Sequence, residues 1–421
     1  MAMLRPASEM KDSGIEWIGQ IPNNWKIIPN KYLMHKEKDL CEKWTGQDVM
    51  SLTMNGVIVR DLVNPSGKMP ESFDGYQFIK PGDLLMCLFD IDVTPRCVGR
   101  VFHEGVTSPA YSNFKLHKNA SLGYYYYYYL MLDHTKELLH LAKNLRHSFT
   151  AEQLGQLKVP MPPLAEQQAI ADYLDDRCSK IDEIIAEATA SIEEYKELKQ
   201  AVIFEAVTKG LNKNVPMKDS GVEWIGEMPS TWKATRIKYL LSEINNRSET
   251  SEEEPLSVSQ VLGVVPSTMI AVANPASSTI GQKIVEPGDL VFNKLKAHLG
   301  VFFVSNYKGL VSPDYAVYRA NERVNPKFLE YLFHTSACIT EFKKYITGVA
   351  VGLMRLYTSD LFNIYVALPE RSEQERIINH LNDSVHRFDA LISEKQALID
   401  DLQAYKKSLI YEVVTGKRRV V

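Results

Sequence analysis

Chemistry is expected first where reactive residue types fall at working distances, and few such places occur among these 421 residues. Asn64-Pro65-Ser66 and Asn274-Pro275-Ala276 begin like the Asn-Pro-Pro-aromatic box with which amino-group methyltransferases hold a flipped base, yet both lack the second Pro and the ring. Both read better as turns. Lys294-Leu295-Lys296, after Pro287-Gly288-Asp289, has the lysines of a nuclease set but not the acidic residue that should precede them. The matching stretch earlier in the chain is Cys87-Leu88-Phe89-Asp90. A GxxxxGKS/T phosphate loop, an HExxH zinc motif and a Gly-rich turn following a strand are all missing, and Gly348 to Gly352 reads as a turn. Ten His stand singly, without ligand spacing. The six consecutive tyrosines Tyr124 to Tyr129 resemble a base-stacking platform, but at helical spacing they point all round, which favours packing. These residues predict a chain that does not catalyse.

Composition leaves few other classes open. With 45% hydrophobic and 24% charged residues the chain is an ordinary globular one, long enough for two or three cores. Five scattered Cys without a CxxC pair argue against a zinc ribbon and a secreted disulfide framework, so a reducing cytoplasm is expected. The amino end lacks a signal-peptide core, and no run of about 18 apolar residues could span a bilayer, so no membrane partner is expected. A net charge of −4 speaks at first against a polyanionic partner.

An internal repeat organises what remains. Residues 10 to 33, MKDSGIEWIGQIPNNWKIIPNKYL, return at 217 to 240 as MKDSGVEWIGEMPSTWKATRIKYL, shifted by 207 positions. The frame persists: Pro81-Gly82-Asp83-Leu84 matches Pro287-Gly288-Asp289-Leu290, and Ser108-Pro109-Ala110-Tyr111 matches Ser312-Pro313-Asp314-Tyr315. Val159 to Pro162, leading to Glu166-Gln167, matches Val366 to Pro369, leading to Glu373-Gln374. The middles, 34 to 158 and 241 to 365, have diverged far more, as expected of one frame holding two non-identical readers.

Each repeat ends in a helical stripe. Apolar residues at Ile170, Leu174, Cys178, Ile181, Ile185, Ala188 and Ile192 step by three and four, with no Gly until Gly210, and Ile377, Leu381, Val385, Phe388 and Ile392 begin the second stripe, which runs to Gly416. Helices of about 45 residues would reach roughly 65 Å. Two such seams in one chain most simply bury each other as an antiparallel pair with one domain at each end. The diverged middles, with short β-branched and aromatic runs at Leu84 to Phe89, Val98 to Phe102, Leu290 to Phe292 and Val301 to Val304 and helical patterns at Tyr124 to Leu141 and Pro326 to Tyr345, predict mixed α/β domains. The fold class expected is α+β. The acidic residues concentrate on the two stripes, which carry −6 over 163 to 210 and −2 over 369 to 417, leaving +4 on the other 324 residues and reopening the question of nucleic acid.

The duplicated SGxEWIGxxPxxW opening, the Pro-Leu-Ala-Glu-Gln-Gln and Glu-Arg-Ser-Glu-Gln-Glu helix starts, and the helix ends Ala206-Val207-Thr208-Lys209-Gly210 and Val413-Val414-Thr415-Gly416-Lys417 together resemble the DNA-specificity subunit of type I restriction-modification systems over the full length. The resemblance implies a repeat segment at 1–22, a target-recognition domain at 23–162, a central long helix at 163–211, a repeat linker at 212–229, a second recognition domain at 230–368 and a C-terminal long helix at 369–417. It implies that each domain reads one half of a split double-stranded DNA target, the helices acting as a ruler of about one turn, roughly 34 Å. Two methyltransferase subunits and motor-nuclease (restriction) subunits are implied as partners. No cofactor is expected in this chain, and S-adenosylmethionine would be bound by the methyltransferase subunits. Alternatives are a coiled-coil structural adaptor that does not read DNA and a stand-alone DNA methyltransferase.

The candidate DNA-binding residues are cationic and polar groups at matched places in the repeats. Asn144-Leu145-Arg146-His147-Ser148 and Gly352-Leu353-Met354-Arg355 each place an Arg in a loop before a long helix, where it can bond guanine bidentately or pair with phosphate. Lys294, Lys296 and His298 are expected to alternate on one side of a strand or loop, with Lys143 flanking the corresponding loop of the first repeat, in which His147 lies beside Arg146. Trp17, Trp25, Trp224 and Trp232 are read as packing anchors, because features shared by both repeats hold the frame rather than read two sequences.

Overall fold

The computed structural model describes residues 3–65, 69–94, 96–142, 148–250, 252–270, 280–346 and 355–420. The chain divides into two compact units, Met1–Ala188 with Ala397–Val421, and Thr189–Gln396, so each unit draws one segment from each long helix.

The first unit carries a four-stranded antiparallel sheet in the order Val98–Arg100, Leu84–Met86, Ser112–Leu116, Met34–Glu37. A second sheet of five strands runs Leu40–Cys41, Tyr76–Ile79, Gly105–Thr107, Val49–Thr53, Gly56–Val59, with one parallel pair. The second unit repeats the four-stranded sheet with Phe302–Val304, Leu290–Asn293, Tyr315–Ala320 and Leu241–Ile244. The shared Pro-Gly-Asp motif explains why this sheet recurs. Gly82 (φ 98°) and Gly288 (φ 91°) take a backbone conformation that residues with a Cβ avoid. The next residue closes the turn: Asp83 accepts from the Lys80 amide at 3.0 Å and Asp289 from the Glu286 amide at 2.9 Å.

Behind the first sheet lies the tyrosine helix, Leu122–Thr135. Tyr124, Tyr125, Tyr127, Tyr128 and Tyr129 are buried, so the run is core and not a platform for bases. Tyr124 donates to the Val414 carbonyl at 2.8 Å and Tyr125 to the Pro160 carbonyl at 3.1 Å, which ties this helix to both neighbouring segments. The helix expected from Tyr124 to Leu141 is broken at Lys136, which sits at φ 53°, and restarts as Glu137–Leu141. Likewise Pro326 to Tyr345 is two helices, Pro326–Phe333 and Ser336–Tyr345, the second capped by Thr335 accepting from the Cys338 amide. In the second unit the core is phenylalanine-rich, with Phe292 and Phe302 stacked at 3.8 Å.

The central helix is Leu164–Lys209 and the C-terminal helix Arg371–Val414. In the first unit Ile170, Leu174, Cys178 and Ile181 are buried in one core with Leu409, Ile410, Val413 and Val414. In the second unit Ile203, Ala206 and Val207 share a core with Ile377, Ile378 and Leu381. Lys406 bonds Asp182 at 2.6 Å in one unit and Lys199 bonds Asp389 at 2.6 Å in the other. Among the described residues no helix is long and apolar enough to cross a membrane.

Candidate nucleic-acid interface

Both domains are seated on their helices by the same contacts. The fully buried Trp25 and Trp232 donate their indole N–H to Glu166 at 2.9 Å and to Glu373 at 3.0 Å. The next residue, Gln167 or Gln374, is completely buried. Gln167 accepts from the Ser121 amide and donates to the Asn119 and Pro162 carbonyls, and Gln374 accepts from the Asn325 amide and donates to the Arg323 and Pro369 carbonyls. Trp25 and Trp232 are therefore packing anchors, as their recurrence suggested, and Trp17 and Trp224 pack half-buried against the same cores.

The two seats differ at one point. In the first unit Tyr127 donates to Asp175 at 2.7 Å, and Arg100 forks onto the same carboxylate at 2.9 and 2.7 Å while stacking over Tyr126. In the second, Tyr331 donates to Asn382, the counterpart of Asp175, at 2.7 Å, a neutral version of the same link.

Residues that could read DNA lie beyond the ends of the central sheet strands. In the second unit Leu290–Asn293 leads into a 3-10 turn, Lys294–Leu299, with Asn293 capping the Leu295 amide at 3.1 Å. This corrects the alternation expected of Lys294, Lys296 and His298. Residues three apart eclipse in such a turn, and Lys296 falls at a kink (φ −113°), so the three side chains do not share one face. Lys294 is half-buried and paired with Glu243 at 3.5 Å, and that carboxylate also faces the buried Lys283 at 3.8 Å. Burial lowers the Lys283 pKa, and the neighbouring Lys294 charge lowers it further. Lys296 and His298 are exposed. The Leu356 amide donates to the Lys294 carbonyl at 3.2 Å, which brings Arg355 to this turn, loosely paired with Asp314 at 3.9 Å. All four second-repeat candidates thus gather at one place.

In the first unit Lys143, Arg146 and His147 lie outside the described residues. The segment that follows them is anchored as its counterpart is, the Phe149 amide donating to the Leu88 carbonyl at 2.7 Å. What occupies the place of the second unit's lysines is aromatic and apolar. Phe89 stacks on Tyr111 (6.4 Å, 20°) beside a cleft of about 460 Å³ lined also by Met54, Thr94 and Arg96. The Arg96 guanidinium is held by the Met54 carbonyl, at the tip of the hairpin Val49–Thr53 and Gly56–Val59. Phe89 and Arg96 were not among the candidates drawn from the sequence. The signal was present in the repeat alignment, since Cys87 to Asp90 lies opposite Lys294 to Lys296. Among the described residues no group of three or more His, Cys, Asp or Glu could hold a metal ion.

The fold of this duplicated α+β chain is similar to that of solved structures. A chain from a structure on complex assembly and conformational transition of the type I restriction-modification system superimposes with a TM-score of 0.70 at 14% identity, covering 94% of this chain and 99% of that one. The HsdS subunit from Thermoanaerobacter tengcongensis gives 0.53 at 16% identity, covering 94% and 98%. The model of the type I restriction modification DNA specificity domain matches residues 88–194. The putative type I restriction enzyme MjaX specificity subunit of Methanocaldococcus jannaschii is 26% identical over 318 residues, 72% of this chain and 70% of that protein. The MjaVIII specificity subunit of the same organism is 26% identical over 281 residues, 63% of each. The EcoKI specificity subunit of Escherichia coli K12 is 23% identical over 277 residues, 62% of this chain and 58% of that protein. In sequence and fold the chain is similar to the specificity subunits of type I restriction-modification systems, whose role is DNA recognition without catalysis.

Proposed function

We propose that this chain binds a bipartite double-stranded DNA target, residues 23–162 reading one half-site and 230–368 the other, and that it assembles with two methyltransferase subunits and with motor-nuclease subunits. One observation carries the reading. The repeats keep the same sheet, the same Pro-Gly-Asp turn and the same backbone anchor (Phe149 to Leu88, Leu356 to Lys294), yet they present different side chains at the anchored place. A common frame with unlike contact groups is what two different half-sites require, since phosphate contacts position a protein and base contacts specify. Lys296, His298 and Arg355 would contact the second half-site, with Lys294 partly occupied by Glu243. Phe89 and Arg96, with Lys143, Arg146 and His147, would serve the first. S-adenosylmethionine and the methyl transfer would belong to the partner.

The test is methylome sequencing of a host expressing the chain with its methyltransferase, beside the Lys296→Ala/His298→Ala and Arg96→Ala variants. The first variant should relax or weaken one half-site and the second variant the other. Loss of both half-sites together from either variant, or an unaltered motif from both, would contradict the assignment. Methyl transfer by the purified chain alone, supplied with S-adenosylmethionine, would favour the stand-alone enzyme instead.

A further inference from the structure

One cluster of metal-ligating side chains lies apart from the DNA-reading places. His35, on the edge strand Met34–Glu37, and His117, just past Ser112–Leu116, are diagonal neighbours on one face of an antiparallel pair whose register sets Lys115 opposite His35. Their rings approach with His35 Nδ1 3.1 Å from His117 Nε2 and centroids 5.3 Å apart, in an exposed position.

The tautomer of His117 follows from its other nitrogen. His117 Nδ1 lies 3.2 Å from the Tyr32 carbonyl oxygen, which can only accept, so Nδ1 carries the hydrogen. The second repeat supports this: Asn321 holds the equivalent place, its side-chain N–H donating to the Tyr239 carbonyl at 2.8 Å, and its amide bonds Leu240 as that of His117 bonds Leu33. With Nδ1 protonated, Nε2 of neutral His117 presents a lone pair toward His35. His35 Nδ1–H donates to it in the metal-free chain. When His35 carries its hydrogen on Nε2 instead, both facing nitrogens, 3.1 Å apart, carry a lone pair.

We propose that His35 and His117 form a two-nitrogen site for a divalent transition-metal ion. Two metal–nitrogen bonds of about 2.0–2.1 Å span about 2.9 Å at a right angle and about 3.3 Å at the tetrahedral angle, and the observed 3.1 Å lies between them. The Tyr32 carbonyl supplies the outer hydrogen bond that fixes a metal-ligating imidazole in the correct tautomer. Lys115, opposite His35 on this face, is drawn to Glu37 at 2.5 Å, in the direction away from His117, which lessens its repulsion of a metal. The remaining coordination positions are left to water or a small external ligand. The second repeat, with Ser242 and Asn321 in place of the two histidines, lacks the site.

That difference supplies variants with a precedent in the same fold. Full-length chain is titrated with copper(II), nickel(II) and zinc(II) by calorimetry, and the copper form is examined by electron paramagnetic resonance. The wild type should take up one ion, tightest for copper, with superhyperfine structure from two nitrogens. His35→Ser and His117→Asn, the residues of the second repeat, should each weaken binding at least tenfold. They should also remove the rise in unfolding temperature that metal gives the wild type, and leave the metal-free midpoint within a degree or two. Binding unchanged in both variants, or no stoichiometric binding by the wild type, would overturn the assignment.

Discussion

Glu166 and Glu373 hold the same position in the two repeats and accept the same indole hydrogen bond, so their removal forms a controlled pair. Glu373→Ala leaves the indole N–H of a fully buried Trp232 without an acceptor, which costs about 1–3 kcal/mol. Glu166→Ala does the same to Trp25 and also strands Arg5, whose side chain is only 9% exposed and whose guanidinium is bonded to Glu166. Breaking one side of such a largely buried pair costs about 3–5 kcal/mol. Glu9 lies 3.9 Å from Arg5 but is 40% exposed, so it offers a weak substitute. The expected order is therefore Glu166→Ala below Glu373→Ala by about 2 kcal/mol. Glu→Gln at the two positions sharpens the comparison: Gln keeps an acceptor for the indole, so Glu373→Gln should fall within about 1 kcal/mol of wild type while Glu166→Gln stays costly. The assay is urea unfolding of the full chain, with amide exchange around Trp25 and Trp232 assigning each loss to its own unit. Equal losses for the two Ala variants, or a larger loss for Glu373→Ala, would refute the reasoning.

Other expectations follow from neighbouring features. Burial by itself would raise the Asp175 pKa, but the Arg100 and Tyr127 hydrogen bonds and the Arg100 charge outweigh it and hold the carboxyl below the ordinary carboxylate range. Its contribution is then complete above the unfolded value, near 4, and is lost as the pH falls through the depressed folded value. Asp175→Asn should cost about 1 kcal/mol at pH 7, a modest figure because the side chain is 42% exposed, and urea titrations should show that gap closing in acid. Gly300, at φ 68°, ends the 3-10 turn, and a Cβ there would lie 2.9 Å from the Ile339 side chain. Gly300→Ala should destabilise by about 1–2 kcal/mol in thermal melts and weaken methylation at one half-site only. Four residues inserted near Ala190, with a matching insertion in the facing stretch of the C-terminal helix, should change the spacer of the methylated motif and leave both half-sites unaltered.

The frame was legible because its signals are periodic or repeated. The 3.6-residue stripes marked both long helices, Leu164–Lys209 and Arg371–Val414, with the bounds implied by the resemblance lying one to three residues outside them, and the Pro-Gly-Asp repeat marked the turn before each central strand. Recurrence separated Trp25 and Trp232 from the candidate contacts, and burial agrees. The breaks within the shorter helical stretches were not legible, since nothing in the type of Lys136 announces its left-handed conformation, in which its ammonium bonds the remote Ile91 and Thr94 carbonyls. The 3-10 turn at Lys294 was missed for a related reason: six residues are too few to show a period. In the first repeat Arg146 lies outside the described residues, and the stacking of Phe89 on Tyr111 was not legible because an aromatic residue on a loop carries no charge or period signal.

The seating of Gln167 and Gln374 has a consequence for how such chains can change over generations. Each glutamine grips its domain through one backbone amide and one remote backbone carbonyl, together with the carbonyl of the proline just before its own helix, and so touches nothing that depends on the identity of a domain side chain. A replacement middle of foreign ancestry keeps the glutamine bonds by returning its main chain to those points, while the Trp–Glu bond and the links to Asp175 or Asn382 still ask for particular side chains. The glutamine joint thus separates inheritance of the mount from inheritance of the side chains it carries.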